Sequence, residues 1–335
     1  MDEERRDGPI ADLMRTPGGE KWRVLAEKGA PTFLLLEGGV GPARPDAEGA
    51  ALGALAGDIY RGLARAERDG WPGGVALALQ TLADRSFFPP AIAPAGTHHE
   101  SETFRALAEG RYVRVVNFHA TPRRLAAGFE EQLSRLAEHF APVSHEDLVG
   151  LLARGEWPHE RPGVVINFFD GFRDNHEVAA PILDRLGLTG WFFLISGWIS
   201  SRPEDQRAFA DTHLMNLPYD DDELSKGYRL ALSPGEIGDL ARRGHVIASH
   251  TQSHTTASPG FAPDLSPGAL AQEVAGSKRT LEEFAGRPVR ALAWREGTPL
   301  HADRRAAGAL SEAGFERLFA THAVQLIPDP SAGRS

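Results

Sequence analysis

The sequence contains no cysteine among its 335 residues. Disulfides, thiolate nucleophiles and thiolate metal sites are therefore excluded, and any bound metal must take histidine, carboxylate, backbone or water ligands. A surplus of positive charge is also lacking: 36 Lys and Arg stand against 46 Asp and Glu, for a formal charge of −10. Nucleic-acid affinity rests on clustered cations, so that class of function is set aside. The opening stretch MDEERRDGPIADLMRTPGGEKW has neither the basic start nor the apolar segment of a secretory signal. No run approaches the roughly 20 apolar residues of a membrane span. The expectation is a soluble, cytoplasmic protein without nucleic-acid or membrane partners, extracellular only if a signal has been removed. Its oligomeric state is left open. Hydrophobic residues at 41% supply enough apolar surface for a large core.

Residues 1 to 107 read as an N-terminal, mainly helical extension of unknown role. Helix-like stretches at 50–68 and 73–84 are broken by Gly and Pro, and Thr32–Leu36 could form a strand. His98, His99 and Glu100 lie on a Gly/Pro-rich segment, where adjacent side chains rarely converge, and read as a solvated loop. From Tyr112 onward the texture is regular. Apolar runs at 112–118, 163–169, 190–195, 245–249 and 290–294 alternate with helical stretches at 122–139, 146–153, 175–186, 233–243 and 267–285. Continuously apolar strands are buried on both faces, and their alternation with helices implies an α/β parallel sheet or barrel. Ser233-Pro234 with Glu236, and Ser266-Pro267, are helix-opening patterns. A polar insertion at 200–231, too long for a plain βα connection, has the character of a lid or substrate loop.

Two strand ends carry chemistry. In VVINFFDGFRDN, Asp170 follows an apolar strand and precedes a glycine, where parallel α/β folds place their active sites. It is either such a carboxylate or a residue that satisfies amides in a βα turn, and the segment alone does not choose. Asn175 reads as the cap of the next helix. In GHVIASHTQSH, His250 and His254 lie four apart and share a face if the chain turns helically. Two imidazoles and a carboxylate form a familiar ligand set for Zn²⁺ or another first-row ion. A His-x-x-x-His pair alone occurs often by chance; the two segments together point to metal.

These segments bear a resemblance. VVINFFDGFRDNHEVAAPILDRLGLTGWFFLISGWI resembles the first motif of the polysaccharide deacetylases (carbohydrate esterase family 4, the NodB-type domain), whose core is Thr-Phe-Asp-Asp-Gly. GHVIASHTQSH resembles the second, His-Ser/Thr-x-x-His, and PGEIGDLARRGH, LAQEVAGSKRTLEEFAGRPVRALAW, VVNFHATP and FAPVSHEDLVGLLARG follow the family's flanking pattern. The likeness covers roughly 112–320. It implies a distorted (β/α)7 TIM-like barrel over 108–335. It also implies a divalent metal, Zn²⁺ foremost, on Asp170, His250 and His254, and hydrolysis of an amide C–N bond in an acetylated amino sugar or related small amide. In the family the metal polarises the acyl oxygen and an aspartate accepts a proton from water.

The sequence departs from this pattern. Phe169 stands where the family has its base aspartate. Arg295 matches the arginine of the third motif, but Glu296-Gly297 follow it, and the terminal general acid has only His322 as a counterpart. Asp174, His119 and Glu296 are the candidate replacement bases. The first could instead cap a helix, the second could be a satisfied barrel-mouth histidine, and the third could pair with Arg295. Phe169, Trp198, His213 and Trp294 are candidate substrate contacts, with Tyr219 also in the insertion, whereas Trp191, Phe192 and Phe193 read as core. The alternative function is a catalytically silent or repurposed member that binds a carbohydrate or a partner.

Overall fold

The computed structural model describes residues 34–36, 112–219, 227–257, 265–298, 300, 303–320 and 324–327. The helices expected at 50–68 and 73–84, the His98-His99-Glu100 group and His322 lie outside the described residues. By internal packing the chain divides into two compact units, residues 1–116 with 135–164, and 117–134 with 165–335.

In the first unit, strand β1 (Leu34–Leu36) pairs antiparallel with the start of β2 (Tyr112–Phe118). Helix α1 (Ala126–His139) ends there and leads through the short β3 (Ala141–Pro142) to α2 (His145–Arg154). Helix α2 opens on a reciprocal cap: Ser144 Oγ accepts from the Asp147 amide while the Asp147 carboxylate accepts from the Ser144 amide. Strand β3 pairs in parallel with the first residues of β4 (Gly163–Asp170).

The second unit holds the site. After β4 come α3 (Ala180–Leu186), β5 (Gly190–Leu194), α4 (Ser196–Ser200) and α5 (Gln206–Thr212). They are followed by α6 (Pro234–Arg242), β6 (Val246–Ser249), α7 (Pro267–Ala271), α8 (Ser277–Ala285), β7 (Ala291–Ala293), α9 (Arg304–Glu312), β8 (Arg317–Phe319) and β9 (Val324–Leu326). Strands β4 to β8 pair in parallel in that order, and β9 returns antiparallel on β8. This is the α/β alternation expected of the barrel class. All five residues of β5 are buried, as its unbroken apolar run requires. Alternation along the strands sorts the aromatics. Phe192 stacks with Phe168 (ring centroids 4.9 Å apart) and Phe168 with Phe118 (5.5 Å) on one face, while Phe193 stacks with Phe169 (5.1 Å) and meets Phe319 (4.9 Å) on the other.

Helix starts follow the sequence signals: Ser233 and Glu236 form a capping box at α6, and Ser266 Oγ accepts from the Ala269 amide at α7. Two expectations are corrected. Asn175 does not cap a helix: the chain is already helical at 173, and residues Asn175–Ala179 form one π-turn before α3. Within the 200–231 insertion the described residues include α5, and Ala231 bridges back to Phe172, so those parts are more than a plain loop; residues 220–226 lie outside the described residues.

Candidate metal and active site

The parallel register decides what meets at the carboxyl edge. Leu194 lies opposite both Asp170 and Ser249. The ladder then runs one step further, with the Ile195 amide donating to Asp170 O (3.2 Å) and the His250 amide to Leu194 O (2.8 Å). Strand β5 thus fixes Asp170 and His250, eighty residues apart, on neighbouring positions.

Asp170 is 2% exposed, and its Oδ1 is buried without a hydrogen-bond partner. Burial pushes its carboxyl up from 3.8 to about 7, because the charged form has lost its water. His250 Nδ1 lies 2.7 Å from Ala293 O, and His254 Nδ1 lies 2.8 Å from His213 O. A carbonyl only accepts, so both Nδ1 atoms carry the proton and both Nε2 atoms present a lone pair. Those Nε2 atoms lie 3.8 and 3.7 Å from Asp170 Oδ1, too far for hydrogen bonds. Burial holds the His250 imidazole well below 6.5, with the His254, His119 and Arg295 charges acting in the same direction. Burial likewise brings His254 down to about 4, aided by Arg295 and His213. One ligand atom from each of the three residues lies within 4.8 Å of the other two. An unpartnered carboxylate oxygen and two imidazole lone pairs facing each other fit a divalent cation and fit little else.

The backbone at this point is strained. Among the described residues, only Asp170, Leu214, Thr251 and His254 are non-glycine residues with positive φ, at 74°, 57°, 67° and 58°. Two are the proposed ligands, one lies between the histidines, and one follows the residue whose carbonyl holds His254. Such conformations persist where surrounding contacts over-determine them, and they cluster at functional sites. The condition that the chain turn helically from His250 to His254 is not met: it makes a turn over residues 251–253 with Thr251 and His254 at positive φ. The Ser196 and Gly197 amides, opening α4, donate to Thr251 O (3.2 Å) and Gln252 O (2.9 Å). Gly197 is required here because a Cβ would lie 2.5 Å from Gln252 O.

The remaining candidates are placed as follows. Phe169 faces the triad, its ring 5.0 Å from His250 and 5.6 Å from His119. Asp174 is 4% exposed and already engaged: Oδ1 accepts from the Thr121 amide (2.8 Å) and hydroxyl (3.3 Å), and Oδ2 from Tyr219 OH (2.5 Å). The Asn175 amide group donates to His119 O (2.8 Å). Asp174 and Asn175 together tie down the segment that carries His119. The Arg295 backbone amide donates to Thr255 O (3.1 Å), while its charge acts on both imidazoles. Glu296 lies in the short 3-10 turn Arg295–Gly297, and its side chain is outside the described residues. His213 contributes its carbonyl, and its ring packs on Phe209 at 4.1 Å. Trp198 has no exposed surface, packs edge-on against Phe172 and donates to Gln206 O (3.0 Å); Trp294 is 2% exposed. Rings so covered have no face to offer a sugar. Thr121 and Gly197 were not singled out from the sequence, since a Thr after a strand and a Gly in a turn carry no distinguishing pattern.

Residues 157–318 match the family model described as polysaccharide deacetylase. Over that segment, just under half of the chain, the protein is similar to the polysaccharide deacetylases. The matched segment contains Phe169, Asp170, His250, His254 and Arg295. The family acts on carbohydrates and is divalent-metal dependent. No curated protein sequence matches the chain. Among solved structures it is similar to a Streptococcus pyogenes deacetylase, PplD, in complex with acetate. That likeness has 18% identity and a TM-score of 0.46, over 60% of this chain and 80% of that one. It is also similar to IcaB from Ammonifex degensii (20%, 0.47, 65% and 88%). A third is a de-N-acetylase from Aggregatibacter actinomycetemcomitans (17%, 0.46, 64% and 90%). No described helix is long and apolar enough to cross a membrane.

Proposed function

We propose that the protein is a metal-dependent N-deacetylase of an acetylated amino sugar or a related small amide, with Asp170, His250 and His254 as ligands to Zn²⁺ or a similar ion. The observation that carries this reading is the buried, unpartnered Asp170 Oδ1 facing two Nε2 lone pairs whose rings are locked by Ala293 and His213 carbonyls. A bound divalent ion supplies Lewis-acid chemistry at the acyl oxygen. The chain's own residues exclude water from one side of the site through Phe169, fix both imidazoles in the Nδ1–H tautomer, and set the Arg295 charge nearby. Phe169 has no atom that can accept a proton. We assign that task to His119, across the Phe169 ring, held by Asn175 and by the Thr121–Asp174 contacts. His119→Gln is expected to lower kcat by about 10²–10⁴ without loss of metal, the range for removing a general base. His250→Ala is expected to abolish both stoichiometric Zn²⁺ binding and release of acetate from N-acetylglucosamine oligomers. Undiminished acetate release in that variant would refute the assignment.

The same apolar ring supports a second reading, a repurposed member that binds a carbohydrate without hydrolysing it. Phe169→Asp distinguishes the two. A large gain in acetate release from an otherwise inert protein supports the second reading, and a loss supports the first.

A further inference from the structure

The turn between the two histidines contains a β-branched residue, Thr251, and a metal-ligand candidate, His254, both in left-handed conformations that L-residues disfavour. Something outside the turn must hold it, and one carboxylate does so disproportionately. Glu273 Oε2 accepts from the amides of Gln252 (3.1 Å) and Ser253 (3.0 Å), and its Oε1 accepts from Ser253 Oγ (2.6 Å). Three donors from two consecutive residues converge on a single side chain twenty residues away. Charge-assisted bonds of this kind are about twice as strong as neutral ones. Glu273 lies in the π-turn Gln272–Gly276 between α7 and α8. A π-turn inserts a residue into the helical repeat and re-aims the side chains around it, and such turns recur at functional sites. Beside it, Gln272 Nε2 donates to Gln252 Oε1 (2.7 Å), so two adjacent π-turn side chains grip the same turn.

We infer that Glu273 is a positioning residue of the metal site: by gathering the 252–253 amides it enforces the turn, flanked by left-handed Thr251 and His254, that aims His254 Nε2 at Asp170. The inference rests on the metal assignment proposed above. Glu273 touches no ligand side chain, so its effect reaches the ion through the backbone conformation of His254. Removing it frees the turn to relax toward ordinary φ values and swings His254 out of convergence, while Asp170 and His250, fixed by the β5 ladder, stay in place. Residues that orient ligands from behind contribute about 10- to 100-fold in metal affinity.

The test is a double-mutant cycle read by Zn²⁺ titration calorimetry on the full chain, with Glu273→Ala, His254→Ala and the double variant. The expected result is a 10- to 100-fold weaker Kd for Glu273→Ala and no further weakening when the same change is made in His254→Ala. Histidine side-chain ¹⁵N spectra of the metal-free protein are expected to show His254 losing its fixed Nδ1–H tautomer in Glu273→Ala while His250 keeps its own. Glu273→Gln, which keeps the fold and one acceptor oxygen, is expected to weaken Kd several-fold. A Kd unchanged in both single Glu273 variants overturns the inference, as does an equal loss with and without His254. Failure of the wild-type protein to bind Zn²⁺ instead overturns the metal assignment itself.

Discussion

Metal binding should be tightly coupled to pH through Asp170, and the coupling can be worked from the site. Burial sets the metal-free Asp170 carboxyl at about 7 against an ordinary 3.8, whereas it brings His254 down to about 4 and His250 well below 6.5. Near neutrality the imidazoles are therefore already neutral and able to ligate; the one proton that must leave is on Asp170. At pH 6 about nine in ten metal-free molecules carry that proton, and at pH 8 about one in ten, from a group titrating near 7. Zn²⁺ binding is expected to release close to one proton at pH 6 and almost none at pH 8. Its apparent Kd should rise about tenfold per pH unit below 7 and level off above it. Folding stability of the metal-free protein follows with a definite sign. A carboxyl raised from 3.8 to about 7 favours the fold while it is protonated, so its contribution is complete below pH 4 and is lost as pH rises to 7. The interval corresponds to roughly 4 kcal/mol. His254 acts oppositely: its neutral form is favoured, so that contribution is present above 6.5 and is lost as pH falls towards 4. Calorimetry in two buffers of different ionisation enthalpy gives the proton count directly. A Kd flat between pH 5.5 and 8, or an inflection near 4, would show that Asp170 is ionised before the ion arrives and would sink the reasoning.

Other perturbations have outcomes set by the packing. Gly197→Ala drives a methyl against the Gln252 carbonyl at 2.5 Å and should destabilise by about 1–3 kcal/mol, read as a lowered Tm, with weakened Zn²⁺ affinity because the same turn carries His254. Tyr219→Phe removes a donor from the buried Asp174 carboxylate and should cost about 1–3 kcal/mol in urea unfolding. Ser233→Ala removes the α6 cap and should cost about 1 kcal/mol, again in urea unfolding, with Zn²⁺ affinity unchanged. Trp198→Ala empties a fully buried site and should cost about 3–5 kcal/mol, so any effect on activity will track stability rather than ligand contact.

Much of the architecture is legible in the chain because its signals are local. Continuous apolar runs, β-branched or aromatic, bounded by turn residues produced β4 and β5 close to their observed ends, and Ser-Pro pairs marked the starts of α6 and α7. The three metal-ligand candidates also stand out locally, since each ends an apolar strand or follows it within a few residues. Asn175 was misread because the helix is already under way at 173, and its side-chain amide is spent on the His119 carbonyl fifty-six residues away. Likewise, left-handed φ at Thr251 and His254 opposes their intrinsic preferences, so no reading of the segment alone yields it.

The sequence by itself determined the strand–helix alternation, the paired motifs and the identity of the metal-ligand candidates, because periodicity and residue chemistry act over a few neighbouring positions. Only the tertiary structure decided that Asp170 Oδ1 is left without a partner, that Ala293 and His213 carbonyls lock the two imidazoles, that Phe169 lies between His250 and His119, and that Glu273 holds the turn. Each of these depends on groups brought together across the parallel ladder or from a separate helix, and contacts between residues twenty to eighty positions apart leave no periodic trace in the chain that makes them.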